Sequence, residues 1–285
     1  MTILHDSHCT EYAQPGHPER PGRITQTLPV LQQHRDWQWT KPKAASREML
    51  LRAHAPEHVD AVAAAVADFD TDSPAYPGIY DHAARAAGAA LGCAQAALGG
   101  DRAFALMRPP GHHAMRNRAM GFCYFSNIAV AAFEALASGV KRLAIWDFDA
   151  HHGNGTEDIV ARHPQIAFAS IHQFPGYPGT GTRSYANVHN YPVPPYASRH
   201  SHVAAAEEAL RQLVLFEPEL LLVSAGFDAY AGDPITQMSL EPEDFAVFGN
   251  WLRDVQIPTA AILEGGYSDE LPHLIDVFLT AWNRS

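Results

Sequence analysis

The sequence predicts an α/β fold, a single domain in which a mostly parallel β-sheet is flanked by helices. Short apolar runs alternate along the chain with Ala-rich segments of helical periodicity. The apolar runs are apolar throughout, which is typical of strands that are covered on both faces. No linker or internal repeat divides the 285 residues, and one α/β domain can fill about 250 residues.

Six segments are predicted to be strands and six to be helices. In chain order, the predicted strands are residues 1–4, 103–107, 143–148, 166–171, 220–224 and 259–263. The predicted helices are residues 24–33, 58–69, 82–98, 126–137, 202–216 and 242–255. In the last but one, Val203, Ala206 and Leu210 recur at helical spacing. Residues 5–23 and 173–200 are rich in Pro, Gly, Tyr and His, and we expect them to form ordered functional loops.

The composition restricts the partners and the location. The 20 basic and 31 acidic residues give a formal net charge of −11, which disfavours nucleic acid because non-specific binding needs a basic surface. No stretch reaches the roughly 18 apolar residues that cross a membrane. Residues 1–6 lack the features of a signal peptide, and three cysteines without CxxC spacing suit a reducing compartment. We therefore expect a cytoplasmic protein with no membrane partner.

A cluster of ionisable residues follows the predicted strand at 143–148. Asp147, Asp149 and His151 alternate, so in extended backbone they project from one face. Carboxylate oxygens beside an imidazole nitrogen suit a divalent metal. The alternative is an acidic strand end that leads into a Gly-rich turn.

Three further motifs follow predicted strands in the same way. They are Arg108-Pro-Pro-Gly-His-His, Ala225-Gly-Phe-Asp with Gly232-Asp-Pro after it, and Glu264-Gly-Gly-Tyr. The carboxyl ends of parallel strands meet at one edge of a sheet, where α/β proteins place their sites. These segments are therefore expected to converge, which is the main reason to predict an enzyme.

The converging residues divide into metal ligands and groups that transfer protons. Asp149, His151 and Asp228 would provide three ligands and leave a position open, as in catalytic metal sites. His112 and His113 are plausible general base and general acid beside a metal-bound water. The alternatives are a helix N-cap for Asp228 and a solvent-exposed pair for the two histidines.

Three other residues are predicted to assist. The Tyr267 phenol, after two glycines, could polarise a carbonyl and stabilise an oxyanion. Asp147 and Asn154 suit a supporting role that fixes the orientation and basicity of the histidines.

The motifs together resemble the histone deacetylase family, in particular its class II type and bacterial amidohydrolase relatives. Besides those given above, the matching segments are His17-Pro-Glu-Arg-Pro, Gly121-Phe-Cys-Tyr-Phe-Ser-Asn, Asp147-Phe-Asp-Ala-His-His-Gly-Asn-Gly-Thr and Pro178-Gly-Thr-Gly. They occur in the family's order. The resemblance implies an eight-stranded arginase/deacetylase-type fold and one catalytic domain over residues 1–285.

The resemblance also implies a role for each matching residue. Asp149, His151 and Asp228 would bind Zn²⁺, with Fe²⁺ as the alternative metal. Asp147 would stand behind His112, and Asn154, the class II form, behind His113. Tyr267 would bind the carbonyl oxygen. A slot for the acyl-lysine stem would be lined by Gly121, Phe122 and Tyr177. A K⁺ site would be formed by Asp147, Asp149, His151, Ser170 and Ile171.

The implied activity is zinc-dependent removal of acetyl or other short acyl groups from acylated lysine in a peptide or protein. A small acylated amine is the alternative substrate, as in acetylpolyamine amidohydrolases. Ile235 stands where polyamine-selective relatives carry a Glu, which favours the lysine substrate; Asp70 or Asp72 would lie at the rim. An inactive acyl-lysine binding module and a two-manganese arginase-like hydrolase are remoter alternatives, and an oligomer is left open.

Overall fold

One sheet of eight strands, in the order β2-β1-β3-β8-β7-β4-β5-β6, organises the computed structural model, which describes residues 1–284. The strands are β1 (Thr2–Leu4), β2 (Gln38–Thr40), β3 (Ala103–Ala105), β4 (Leu143–Asp147), β5 (Ile166–Gln173), β6 (Val188–Val193), β7 (Leu220–Ala225) and β8 (Thr259–Leu263). All neighbouring strands are parallel. The predicted parallel α/β fold is confirmed, and so is the implied number of strands.

The central strands end level with one another at the carboxyl edge of the sheet. Every residue of β4, β7 and β8 is buried, as expected for parallel strands that are covered on both faces. The register pairs Asp147 of β4 with Ser170 on one side and with Ser224 on the other. The residues that follow these strands therefore begin at the same level along the carboxyl edge of the sheet.

Within the described residues, ten α-helices lie between the strands or after the last one. They are α1 (Gly22–Thr25), α2 (Thr27–Leu31), α3 (Arg47–Ala53), α4 (Pro56–Ala63), α5 (Ile79–Leu98), α6 (Asn127–Ala137), α7 (Asn154–Val160), α8 (Arg199–Leu215), α9 (Pro242–Asp254) and α10 (Leu271–Asn283). Four predicted helices agree with α5, α6, α8 and α9, with ends that differ by up to three residues. A 3₁₀ helix, Ser7–Thr10, lies in the first predicted loop.

Two strands, β2 and β6, were not predicted from the sequence. β2 has only three residues and occupies the exposed edge of the sheet, so no buried run marks it. β6 occupies the opposite edge and falls inside residues 173–200, which were predicted to be a loop throughout. It contains Pro192, and the proline is tolerated because an edge strand can lack one backbone donor.

Two predicted helices have the wrong extent, for identifiable reasons. The helix predicted at 24–33 is divided into α1 and α2, since Pro29 has no N–H to donate to the carbonyl four residues before it. The helix predicted at 58–69 ends at Ala63. After it, Asp68 and Asp70 accept backbone N–H groups of the following loop, a competing interaction that favours turns.

Three helices, α3, α7 and α10, were not predicted. The sequence carried a clear signal for α10, because Leu271, Leu274, Ile275 and Phe278 recur at helical spacing and are all buried. α7 is only seven residues long and begins at Asn154, inside the motif interpreted chemically.

A cluster of aromatic rings fixes the loops at the centre of the carboxyl edge. Phe148 and Phe227 pack with Phe245 and Phe248 of α9 and Phe278 of α10, with ring centroids 5.3–6.5 Å apart. All five rings are fully buried. Because Phe148 lies between Asp147 and Asp149, and Phe227 precedes Asp228, the core holds the candidate ligand segments directly.

The three cysteines are buried in the fold. Cys9, Cys93 and Cys123 are buried and unpaired, and burial raises the pKa of Cys9 to about 12 and those of the other two well above the usual range. Such thiols stay protonated and are poor nucleophiles.

None of the helices within residues 1–284 is long and apolar enough to cross a membrane.

Replacing Phe278 by Ala tests the aromatic cluster. We expect Phe278→Ala to lower the free energy of unfolding by about 3–5 kcal/mol, because it leaves a cavity beside the Phe148 and Phe227 rings. Urea unfolding followed by circular dichroism measures this change. The control is Val66→Ala, at a side chain that is 97% exposed, which should change stability by no more than about 0.5 kcal/mol. Equal effects of both variants would contradict the assignment.

Candidate active site

The side chains of Asp149, His151 and Asp228 converge above the ends of β4 and β7. One ligand atom from each lies within 4.8 Å of the others. His151 Nδ1 is 2.8 Å from Asp228 Oδ2 and 3.2 Å from Asp149 Oδ1. Two carboxylates and one imidazole, brought together out of solvent, match the donors that a divalent metal takes.

Backbone N–H groups from neighbouring loops hold the two carboxylates in place. Gly265 N donates to Asp149 Oδ2 at 2.7 Å, and Ala150 N donates to Asp228 Oδ1 at 2.8 Å. Each carboxylate thus keeps an oxygen for His151 while its other oxygen is fixed by the backbone. The loops after β4, β7 and β8 are cross-linked through these bonds.

Two glycines make room for the carboxylates. A Cβ at Gly226 would lie 2.0 Å from Asp149 Oδ2, and a Cβ at Gly265 would lie 2.2 Å from Asp228 Oδ2. Neither distance is tolerated by real side chains, and the atoms in conflict are held by the hydrogen bonds just described. Glycine is therefore required at both positions for steric reasons.

Burial and the close charges shift the pKa values of His151 and Asp228. Burial opposes the protonated form of His151, but the carboxylates of Asp228 and Asp149 raise its pKa to about 10. Burial and the neighbouring Asp149 raise the pKa of Asp228. A proton on His151 thus offsets the carboxylates, and a metal ion would replace it, since metal ligation requires neutral imidazole.

His112 and His113 are adjacent, buried and differently supported. Their ring centroids are 4.0 Å apart. His112 Nδ1 lies 3.1 Å from Asp147 Oδ2, whereas His113 Nδ1 lies 2.7 Å from Asn154 Oδ1. The structure places each histidine against the partner named from the sequence.

The two histidines have pKa values shifted in opposite directions. Burial alone would lower the pKa of His112, but Asp149 and Asp147 raise it well above its usual range. Burial lowers the pKa of His113, and the positive charges of His112 and His151 lower it further. Two groups of the same type with separated pKa values suit one donor and one acceptor of protons.

Tyr267 and a small cavity complete the site. The cavity has a volume of about 270 Å³, and its lining includes His113, His151 and Tyr267. Its remaining lining is Pro18, Asp72, Gly121, Phe122, Tyr177 and Ile235. Tyr177 is 38% exposed while the histidines are buried or nearly so, so the cavity leads from the surface to the candidate metal ligands.

Gly121 lets the wall approach the histidines. A Cβ there would lie 2.7 Å from His113 Cδ2 and 2.9 Å from the Tyr177 hydroxyl, and the backbone φ of +57° also favours glycine. Phe122 packs edge-on against the Tyr267 ring with centroids 5.7 Å apart. The structure thus brings together Ile235 and the three residues expected to line the slot, Gly121, Phe122 and Tyr177. Of the two rim candidates, Asp72 rather than Asp70 lines the cavity.

The residues implied for a K⁺ site come from β5 and from the segment that ends β4. Asp147 and Ser170 are partners in the register of these strands, and Ile171 follows Ser170. Ser170 Oγ accepts from Gly153 N at 3.4 Å and lies 3.0 Å from His172 Nδ1.

His152, the conspicuous neighbour of His151, is buried behind the site. Its Nδ1 lies 2.7 Å from Thr180 Oγ1 and its Nε2 lies 2.9 Å from Glu157 Oε2. It therefore ties the loop that carries Tyr177 to α7.

A buried carboxylate that the sequence left without a role supports the tandem histidines. Glu264 Oε2 accepts the N–H groups of Gly111 and His112 at 2.7 and 3.1 Å, and Oε1 accepts from Ser224 Oγ at 3.2 Å. Burial raises the pKa of Glu264 to about 7. Its position at the end of β8, inside a quoted motif, was the signal that could have identified it.

Three other supporting residues were not identified from the sequence. Arg23 donates through Nε to Gly266 O at 2.7 Å and through Nη2 to Glu264 O. Gln173 bonds to Gln237 through both its amide nitrogen and its oxygen, at 2.8 and 2.7 Å. The third residue, Asp233, accepts Tyr267 N at 2.8 Å. Their contacts join distant loops, and no local pattern marks such contacts.

A buried ion pair holds the first loop against the turn that carries the histidines. Arg108 Nη2 lies 2.8 Å from Glu19 Oε2, and both side chains are almost fully buried. Arg108 also donates to Cys9 O at 2.7 Å and lies over the Tyr12 ring at 4.0 Å. These contacts attach Cys9, Tyr12 and Glu19 of the first loop to Arg108.

Comparison with known proteins agrees with this geometry. The family model described as histone deacetylase domain matches residues 17–281. The chain belongs to the histone deacetylase family. It is 37% identical to the histone deacetylase-like amidohydrolase of Pseudomonas aeruginosa, over 90% of this chain and 74% of that protein.

Solved structures of the histone deacetylase family share the fold over the whole chain. The HDA15 HD domain matches with a TM-score of 0.90 at 30% identity, covering 100% of this chain and 91% of that one. The acetylpolyamine aminohydrolase from Burkholderia pseudomallei matches with a TM-score of 0.86 at 25% identity, over 99% and 98%. As a member of this family of deacetylases and amidohydrolases, the protein is an enzyme that hydrolyses amide bonds.

Replacing Gly265 by Ala tests the requirement for close approach. We expect Gly265→Ala to displace both carboxylates and to lower bound metal well below one ion per chain, because the new Cβ would overlap Asp228 and Asp149. Metal content after loading and dialysis, measured by mass spectrometry, gives the result.

Two variants calibrate that measurement. Asp228→Ala removes a candidate ligand and should lose metal to the same degree. Gly99→Ala, far from the site with its nearest contact at 3.2 Å, should retain it. Full metal content in Gly265→Ala would contradict the steric argument.

Proposed function

We propose that this protein is a zinc-dependent amidohydrolase that removes acetyl or other short acyl groups from the amine of acylated lysine side chains. The observation that supports this proposal best is the small cavity lined by His113, His151 and Tyr267 together with the aromatic residues Phe122 and Tyr177. One catalytic domain over residues 1–285 would carry the activity, and a cytoplasmic location stays a prediction.

Asp149, His151 and Asp228 would hold Zn²⁺, and their donor atoms and burial fit that ion. Fe²⁺ is the alternative, because two carboxylates and one imidazole form a harder set than most zinc sites. The bound metal supplies positive charge that polarises the amide carbonyl and makes water more acidic. K⁺ would bind at Asp147, Asp149, His151, Ser170 and Ile171.

The protein's own side chains would then move the protons. One imidazole of the His112–His113 pair accepts the proton of the attacking water, and the other donates a proton to the departing amine nitrogen. Asp147 fixes the His112 ring and Asn154 fixes the His113 ring, each through a contact with the histidine Nδ1 atom. Tyr267 donates a hydrogen bond to the carbonyl oxygen, where negative charge develops.

The walls of the cavity suit a thin apolar stem. Phe122 and Tyr177 offer aromatic faces to the methylene groups of lysine, and Gly121 keeps the passage open to His113. Ile235 offers no charge for a second ammonium group. These features favour an acylated lysine peptide or protein as the substrate.

Acetylpolyamine hydrolysis is the second candidate, and Asp72 is the observation that favours it. Asp72 is among the residues that line the cavity, where a carboxylate could bind a second ammonium group of the substrate. A solved relative, the acetylpolyamine aminohydrolase from Burkholderia pseudomallei, has the same fold.

Replacing Tyr267 by Phe removes the proposed hydrogen bond to the oxyanion. We expect Tyr267→Phe to lower kcat by roughly 10²–10³-fold, the usual effect of losing an oxyanion donor, with metal content unchanged. Steady-state kinetics on an acetyl-lysine peptide measures it. Tyr196→Phe, at a ring that is 81% exposed, is the control and should keep the wild-type rate. An unchanged kcat in Tyr267→Phe would exclude the phenol from the mechanism.

A panel of substrates tests the function and separates the two candidates. The zinc-loaded protein is assayed on acetyl-lysine peptides, acetylputrescine and acetylspermidine. We expect the highest kcat/KM on the peptides, and we expect Ile235→Glu to shift the ratio toward the polyamines by about tenfold, equivalent to ~1.4 kcal/mol. Higher kcat/KM on the polyamines would favour the second candidate. No hydrolysis of any of these amides would contradict the proposed function.

A further inference from the structure

Asp233 is a buried carboxylate in the Gly232-Asp-Pro motif, to which the mechanism above gives no role. Only 7% of the Asp233 surface is exposed to solvent. Asp233 Oδ2 accepts Tyr267 N at 2.8 Å, and Oδ1 accepts Ile235 N at 3.1 Å. One side chain thus fixes the backbone of two residues that line the cavity.

A carboxylate is the side chain that can make both bonds. Ionised Asp accepts through either oxygen, whereas Asn has one accepting oxygen and one donating nitrogen. With Asn at position 233, the Tyr267 or Ile235 N–H would face another donor. The shape of the side chain would be nearly unchanged.

The backbone before Tyr267 depends on such support. Gly265 and Gly266 precede the tyrosine, and Gly266 has a φ of +115°, a region open mainly to glycine. Arg23 holds the Gly266 carbonyl, and its guanidinium lies 4.9 Å from the Tyr267 ring centre. Asp233 bonds to the N–H of Tyr267 itself, so it fixes the point from which the phenol projects.

The segment that carries Asp233 is itself anchored beside the candidate metal site. Thr236 Oγ1 donates to the backbone carbonyl of Asp228. Ile235 and Tyr267 both line the 270 Å³ cavity and an adjoining cavity of about 500 Å³. Asp233 therefore connects the phenol with a segment whose place is set by a candidate metal ligand.

We propose that Asp233 is a positioning residue that holds the Tyr267 hydroxyl at the place of the substrate carbonyl. This inference rests on the proposed amidohydrolase function. Asp233 acts through the N–H of Tyr267 and does not touch the substrate. The effect of losing its carboxylate should therefore depend on the presence of the phenol.

A double-mutant cycle tests this dependence. With Tyr267 present, Asp233→Asn should lower kcat about tenfold, because small displacements of a catalytic group cost much of its effect. With Phe at position 267, the same change should alter kcat by less than about twofold. KM and bound zinc should stay close to their values in each parent protein.

Asp269→Asn is the matched control. This carboxylate is two residues after Tyr267 and pairs at the surface with Arg20, with 86% of its side chain exposed. It should leave kcat unchanged in both backgrounds. Equal losses from Asp233→Asn with Tyr or Phe at 267 would overturn the proposal, and so would no loss. Lost zinc or helical signal in both backgrounds would assign Asp233 to the fold and would also overturn it.

A second readout does not need activity. The protein with 3-fluorotyrosine at its ten tyrosines gives fluorine resonances, and the Tyr267 signal is the one that Tyr267→Phe removes. Asp233→Asn should shift or broaden that signal while signals of distant tyrosines stay in place. An unmoved Tyr267 signal would overturn the proposal. If the wild type hydrolyses no amide, the proposed function fails while this measurement still reports on Asp233.

Discussion

The site depends on hydrogen bonds between the carboxylates of Asp149 and Asp228 and the backbone of neighbouring loops. Each bond joins the end of one strand to the end of another, so the geometry exists only while the central strands keep their parallel register. Without these donors, two carboxylates this close would repel one another and separate. The fold therefore holds two negatively charged groups close together against their repulsion, in the arrangement that a cation requires.

A second layer of buried charge keeps the surrounding loops in place. Glu264 holds the turn that carries the histidines, and the Arg108–Glu19 pair attaches the first loop to that turn. Breaking a buried pair leaves an uncompensated charge, which typically costs about 3–5 kcal/mol. The loops at this edge have little regular structure, and their order comes from these charged contacts instead of from backbone ladders.

The sequence was sufficient for the parallel sheet and for the segments that meet at its edge, because both follow from local patterns. Buried runs mark β4, β7 and β8, and each candidate residue comes a few positions after such a run. The edge strands β2 and β6 are only partly buried and have no such run, so they were missed. Asp233 and Gln173 could not be assigned roles, since their function lies in contacts with loops 34 and 64 residues away. No spacing rule encodes such contacts.

Alternation along residues 147–149 has a consequence for how the enzyme can change. Asp147 and Asp149 face the chemistry, while Phe148 between them packs into the aromatic core. A substitution at Asp147 or Asp149 therefore changes the reactivity of the site, whereas a substitution at Phe148 changes the packing of the core. A single inserted or deleted residue would exchange the two faces, placing a ring at the candidate metal site and a charge in the core. Evolution can replace side chains here one at a time, but the length of the segment is fixed.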